Sequence, residues 1–245
     1  MKIAVVSTGR SRCTLVALYL HELHRETEYC REYYTELNWE GKSDLVSLTE
    51  ELMQKENFVI KIMSCNLYEG YDPSVFRFEE YDELHLIERH DFFEQACSWH
   101  IARRTNLYHL RNDIENSGAK EYDGVRKLRS KVTLGNIKEG AEYVDTYIKF
   151  KRYIIENNLK FTLHTYESAK EFDKKQSVTE DSNLNYNELI TNYHLKDEVN
   201  ALFNECFSYE NLTSDLVTFK RKVSEVKGLR SLQSFANKMT KVWNE

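Results

Sequence analysis

The sequence predicts an α/β fold in three layers, with a central, mostly parallel sheet flanked by helices. Three observations carry that expectation. Short, β-branched apolar runs alternate along the chain with longer segments of helical period. The first run, Ile3–Ser7, ends in Thr8-Gly9 and passes directly into a helical pattern, the opening of a parallel β–α unit. The 245 residues, 41% hydrophobic and 13% aromatic, suffice to bury one sizeable core.

The elements follow in order. From Cys13 to about Leu23, Ala17, Leu18, Leu20 and Leu23 keep close to a helical period. Residues 44–56 read as an amphipathic helix led by Ser43 or Asp44 as its cap. Phe58–Met63 is the second strand and Leu84–Ile87 the third. Asp91–Arg104 is the helix after it, with the Asp91 carboxylate at the positive end of the helix dipole. Residues 105–135 lose their apolar positions and alternate in charge, which predicts a substrate loop or lid. Asn136–Asn157 reads as a long helix, Lys160–Thr165 as the fourth strand and 168–185 as polar loop. The stretch 186–245 is expected to be a helical C-terminal part ending in a basic segment and Trp243. No repeat is visible and the single proline, Pro73, marks no linker, so one domain over 1–245 is the economical organisation.

A net charge of −6 argues against non-specific nucleic-acid binding, which needs a cationic face, but allows a local basic pocket for one small anion. No apolar run approaches the ~20 residues of a membrane span. The N-terminus lacks the apolar stretch of a signal peptide, so the expected location is cytoplasmic. Cys13, Cys30, Cys65, Cys97 and Cys206 are odd in number and lack zinc spacing, which fits free thiols in a reducing compartment.

The chemistry concentrates in two strand-to-helix corners. The first is Ser7-Thr8-Gly9-Arg10-Ser11-Arg12-Cys13-Thr14. A helix start offers unpaired amide N–H groups and a positive dipole end, and an oxyanion fits there. Arg10 adds a cation; Ser11 and Thr14 add hydroxyl donors. The plainer alternative is an ordinary turn with a surface arginine. The loop is not a Walker A motif, because Gly9 is followed five positions later by Thr14 with no Gly-Lys. No magnesium ligand is evident nearby, as a nucleoside-triphosphate kinase would require.

The second corner is His85-Leu86-Ile87-Glu88-Arg89-His90-Asp91-Phe92-Phe93-Glu94-Gln95-Ala96-Cys97-Ser98-Trp99. Arg89 ends a strand at the sheet edge where α/β proteins bind ligands, and a guanidinium grips phosphate with two hydrogen bonds.

Together the corners resemble those of the sulfotransferases that use 3′-phosphoadenylyl sulfate (PAPS). Arg10-Ser11-Arg12-Cys13-Thr14-Leu15 resembles the family's 5′-phosphosulfate loop, roughly RSGSTLL in bacterial forms. Arg89, Asp91, Gln95, Ala96, Ser98 and Ala102 fall in register with its 3′-phosphate motif, roughly RxDxxxQAxSxxxA. The similarity covers about residues 1–105 and is nearest to the bacterial trehalose-sulfotransferase branch. It implies a P-loop-like fold, PAPS as cofactor, adenosine 3′,5′-bisphosphate as product and a small-molecule or carbohydrate acceptor, the trehalose-type branch favouring a carbohydrate hydroxyl. Gly9, Arg10, Ser11, Arg12, Cys13 and Thr14 would surround the 5′-phosphosulfate, and Arg89 and Ser98 would hold the 3′-phosphate. Two positions depart: Arg12 stands where the family has glycine, and Cys13 where it has serine.

Lys61, inside the apolar strand FVIKIM, is costly without a partner. Lys61-Ile62-Met63 is similar to the Lys-Leu-Met of the trehalose-type branch, which implies a place near the acceptor or the sulfuryl group. The alternative is an edge-strand lysine reaching out to water. Glu32, in Arg31-Glu32-Tyr33-Tyr34, matches that branch's glutamate and is the implied general base, with Glu36 as fallback. A carboxyl beside aromatic rings has its pKa raised toward neutrality. The catalytic set is thus Glu32, Lys61 and Arg10.

Other residues have plainer readings. His21 and His24 share a helix without a carboxylate at ligand spacing. His90 flanks the strand end within reach of a cofactor. Trp99 reads as core rather than adenine platform. Lys220-Arg221-Lys222 and Lys227-Gly228 are similar to a C-terminal basic motif of cytosolic sulfotransferases, though a basic helix face is the commoner reason for such a run. Two rivals remain: a metal-dependent nucleotide kinase, and a catalytically silent nucleotide-binding protein on the same fold.

Overall fold

Five parallel strands form the sheet, in the order β2-β3-β1-β4-β5. They are β1 (Lys2–Ser7), β2 (Glu28–Cys30), β3 (Phe58–Met63), β4 (Glu83–Glu88) and β5 (Thr162–Thr165). The computed structural model describes residues 1–30, 34, 45–66, 72–105, 129–169, 172 and 185–229. The chain divides into two units. The first comprises Met1–His90, Glu142–Val178 and Tyr209–Thr213; the second comprises Asp91–Ala141, Thr179–Ser208 and Ser214–Glu245.

The first unit holds the sheet. β1 lies at its centre, pairing β3 with Ser7 opposite Met63, and β4 with Ser7 opposite Ile87. Parallel pairing puts every C-terminal strand end on one edge. The chain leaves β1 toward β2 and β3 on one side, and leaves β4 toward β5 on the other. The β1/β4 junction is therefore the switch point where α/β sheets open a crevice.

Alternation along the strands builds both faces. Ile3, Val5, Val59 and Ile87 pack with Cys13, Val16, Ala17 and Leu20 of α1 (Cys13–Leu23). The opposite face carries Glu88, which is bonded by Lys151 of the long helix Leu134–Glu156. Phe150 of that helix packs edge-on against Phe76 and Phe78. The expected α/β architecture, a parallel sheet flanked by helices, is observed.

Several boundaries differ from expectation. β2 is unanticipated, because three residues (Glu-Tyr-Cys) show no period. The predicted strand Lys160–Thr165 pairs only over Thr162–Thr165. The predicted helix 44–56 is α2, Leu45–Met53; Ser43 and Asp44 lie outside the described residues. The long helix, read as Asn136–Asn157, starts at Leu134 and is numbered α4 after α3 (Phe92–Thr105).

The second unit contains α3, the start of α4, α5 (Lys196–Cys206) and α6 (Leu216–Val223). The stretch after 186, expected to be helical, also holds two-residue strands at Phe207–Ser208 and Thr213–Ser214. Phe92 stacks on Phe203 with centroids 4.2 Å apart, and Phe219 meets both edge-on. A Cβ on Gly140 would lie 3.3 Å from the rings of Phe92 and Trp99, so glycine permits this close approach and Trp99 is core. Asp91 accepts the Glu94 amide at 3.1 Å, capping α3. Burial pushes its carboxyl up, but hydrogen bonds from Lys196, that amide and Asn200 outweigh it and hold the pKa below the usual value. No helix among the described residues is long and apolar enough to cross a membrane.

Beneath β4 and β5 runs a polar chain. His85 Nδ1 lies 3.0 Å from His164 Nε2, His85 Nε2 lies 3.1 Å from Glu83, and Glu83 lies 4.0 Å from His24. Burial lowers the pKa of His85 despite Glu83. Burial and then the His85 charge lower that of His164 to about 4. A ring-to-ring hydrogen bond needs one neutral nitrogen, so protonating both rings breaks it. A folded pKa below the unfolded value near 6.5 means stability is intact above that value and is lost as pH falls toward 4. Urea unfolding of wild type and H164Q from pH 8 to pH 4 is therefore expected to show a stability difference that shrinks on acidification. A pH-independent difference would count against the pair.

Candidate functional site

The first loop follows β1 with an unusual backbone. Gly9, Arg10 and Arg12 have φ of 81°, 51° and 66°. A left-handed conformation is free for glycine but costs about 1–3 kcal/mol for each arginine. Arg12 is the residue before α1, and its own side chain makes no cap hydrogen bond to that helix. A left-handed residue followed by a helical one turns successive amide N–H groups into one concavity, a shape that accepts anions. Gly9 N–H donates to Ser7 Oγ at 3.2 Å, tightening the turn. Ser11 is fully buried and its Oγ has no hydrogen-bond partner. An orphaned buried hydroxyl costs about 1–3 kcal/mol, a cost that an arriving acceptor removes. Cys13 opens α1 with its Sγ 3.6 Å from Met63 Sδ.

Lys61 does not reach out to water. It sits on β3, an interior strand, is 3% exposed, and donates from Nζ to Thr14 Oγ1 at 3.0 Å. A buried ammonium costs several kcal/mol unless held by partners. Its position under the first turn of α1 puts that charge beside the loop.

Arg89 follows β4, 2% exposed, and its NH1 donates to the Arg10 carbonyl at 3.0 Å. The two corners thus meet through a side-chain-to-backbone bond. Tyr166, one residue past β5, lies beneath two guanidinium groups: Arg89 Cζ is 4.0 Å and Arg12 Cζ 4.5 Å from its ring centroid. Both distances suit cation–π attraction.

A buried ion pair supports this corner. Glu88 and Lys151 are 3% and 6% exposed, with Nζ 2.7 Å from Oε1. Lys151 also donates to the Tyr209 carbonyl at 2.8 Å, and the Tyr209 hydroxyl reaches the Arg89 carbonyl at 3.4 Å. Burial, then the Glu88 charge, pushes the Tyr147 and Tyr209 hydroxyls well above their usual pKa, so both remain donors. His90 is exposed, its ring edge-on to Tyr209 and its Nε2 4.0 Å from Glu88.

Of the residues expected from sequence, Gly9, Arg10, Ser11, Arg12, Cys13, Thr14, Lys61 and Arg89 all lie at or just below the C-terminal edge of the sheet in the first unit. Ser98 lies on α3, buried, and belongs to the second unit. Glu32, Glu36 and most of the predicted lid lie outside the described residues. Tyr166, Lys151 and Tyr209 carried no sequence signal. Glu88 carried a weak one, since a carboxylate on the Leu84–Leu86 face of a buried strand requires a cation.

What these parts can do chemically is hold an oxyanion: amide donors, a spare hydroxyl and fixed cations converge on one loop. Among the described residues no cluster of three His, Cys, Asp or Glu is arranged to hold a metal ion. No protein-family model matches the chain, and neither does any curated protein.

Removing one partner of a buried ion pair leaves an uncompensated charge, so K151M is expected to lower the unfolding free energy by about 3–5 kcal/mol. The double variant E88Q/K151M should recover a large part of that loss in urea unfolding. A K151M cost below about 1 kcal/mol, the worth of an exposed pair, would show that Glu88 is not held this way.

Proposed function

We propose that the chain is a PAPS-dependent sulfotransferase of P-loop-like fold, acting on an acceptor hydroxyl of carbohydrate type. The observation that carries this reading is the Arg89–Arg10 hydrogen bond of 3.0 Å, which joins the two corners expected to hold opposite ends of one doubly phosphorylated nucleoside. Arg12 adds support, because it stands in left-handed backbone at the position where the resemblance expects glycine. The buried Ser11 hydroxyl, without a partner, suits a loop that takes up a charged ligand. Ser98 comes from the resemblance alone, and the proposal for the 3′-phosphate rests on Arg89.

In this reading PAPS supplies the sulfuryl group and departs as adenosine 3′,5′-bisphosphate. Glu32 takes the acceptor's proton as the acceptor oxygen attacks sulfur in line. Arg10 and the amides after it offset the negative charge growing on the bridging and equatorial oxygens. Lys61, fixed beside Thr14, adds to that charge balance. Preorganised donors of this kind supply the larger part of the rate, with positioning second.

Calorimetric titration with adenosine 3′,5′-bisphosphate in the presence of a chelator tests the cofactor assignment. Wild type is expected to bind without metal. R89A should bind more weakly by about 2–3 kcal/mol, the worth of a charge-assisted clamp. Unchanged affinity in R89A removes the 3′-phosphate assignment. E32Q should keep its affinity while turnover of PAPS falls by roughly 10²–10⁴, the usual contribution of a general base. Full turnover in E32Q assigns the base elsewhere.

A further inference from the structure

Tyr166 follows a short strand and precedes a polar stretch, and nothing in the sequence marks it. The structure gives it a fixed place. Its amide donates to the Glu88 carbonyl at 2.7 Å, extending the β4–β5 ladder by one step. The turn beyond is closed by the Ala169 amide on the Thr165 carbonyl at 3.0 Å. Ser168 Oγ both accepts from the Thr165 amide and donates to the Thr165 carbonyl. The base of the ring is thus held by main-chain bonds on both sides.

Two guanidinium groups meet that ring from different parts of the chain. Arg89 comes from the end of β4, with Cζ 4.0 Å from the centroid, and Arg12 from the first loop, with Cζ 4.5 Å away. The two carbons can lie no further apart than the sum of those distances. Like charges at such range repel, and the negative face of the ring offsets that repulsion without neutralising either cation. A carboxylate in the same place would also gather the arginines, but it would compete with an incoming anion. An aromatic ring gathers them without adding an anion that an incoming ligand would have to displace.

We infer that Tyr166 is a positioning residue of the anion site, whose ring brings together Arg12 of one corner and Arg89 of the other before a phosphorylated ligand arrives. The gain is preorganisation: two long, rotamer-rich side chains are ordered in advance, so binding does not bear the full cost of ordering them. The role belongs to the ring face, where both cation contacts are made. This inference rests on reading the two corners as an anion site, and deepens it by naming what holds the clamp.

The test is calorimetric titration of wild type, Y166F and Y166L with two probes, adenosine 3′,5′-bisphosphate and inorganic pyrophosphate. Y166F keeps the ring and should bind both probes within about twofold of wild type, while Y166L should bind both roughly tenfold more weakly, the worth of two modest cation–π contacts. Wild-type affinity in Y166L overturns the inference. An equal loss in Y166F and Y166L also overturns it, by assigning the effect to the hydroxyl. Should Y166L melt below the assay temperature, Y166M, flexible and without a ring face, is read in its place by the same criteria. Binding of pyrophosphate but not of the nucleotide by wild type removes the sulfotransferase reading and leaves the role of Tyr166 to be decided by the pyrophosphate series. Failure of wild type to bind either probe overturns both.

Discussion

A permanently charged side chain, Arg89, sits almost wholly out of solvent at the end of the central sheet, and much of the surrounding architecture answers to it. Its NH1 is accepted by the Arg10 carbonyl, which ties the loop after β1 to the corner after β4. Its own carbonyl is met by the Tyr209 hydroxyl, and its Cζ lies over the Tyr166 ring, 4.0 Å from the centroid. A guanidinium cannot shed its proton to escape burial, so each of these neighbours is a condition of its being there. The adjacent Glu88 obeys the same constraint with opposite sign, and Lys151 answers it from α4.

The register of the sheet turns that local chemistry into a site. Because β1 and β4 are neighbours and parallel, Ser7 stands opposite Ile87, and the residues that follow each strand emerge side by side. Lys61 lies one strand over, beneath the first turn of α1. Strand register thereby delivers Arg10, Lys61 and Arg89 to one edge of the sheet.

How much of this is legible in the sequence follows from range. β1, β3 and β4 are visible because strands buried on both sides read as near-continuous apolar runs, and IAVVS, FVIKIM and LHLI are such runs, broken only by Ser7, Lys61 and His85. β2 is invisible because Glu28–Cys30 is an edge strand of three residues with one buried position. Arg10, Lys61 and Arg89 stand out because a charge inside or just beyond an apolar strand is a local anomaly. Tyr166 and Lys151 do not, since each looks ordinary among its neighbours and acquires meaning only from a partner far along the chain; Lys151 is 63 residues from Glu88. The left-handed backbone of Arg12 is legible only through the resemblance, which has glycine at that position; nothing local to the arginine announces it.

That conformation bears on how the protein would respond to engineering. Arg10 and Arg12 occupy backbone that taxes every side chain larger than hydrogen, so heat-driven selection in the laboratory would be drawn first to glycine at these two places. Each such exchange would relax the loop and discard a guanidinium in the same stroke. On the proposed anion-site reading, thermal robustness and ligand capture are therefore opposed at single codons, and a variant library screened only for melting temperature would drift toward a sturdier protein with an emptier grip.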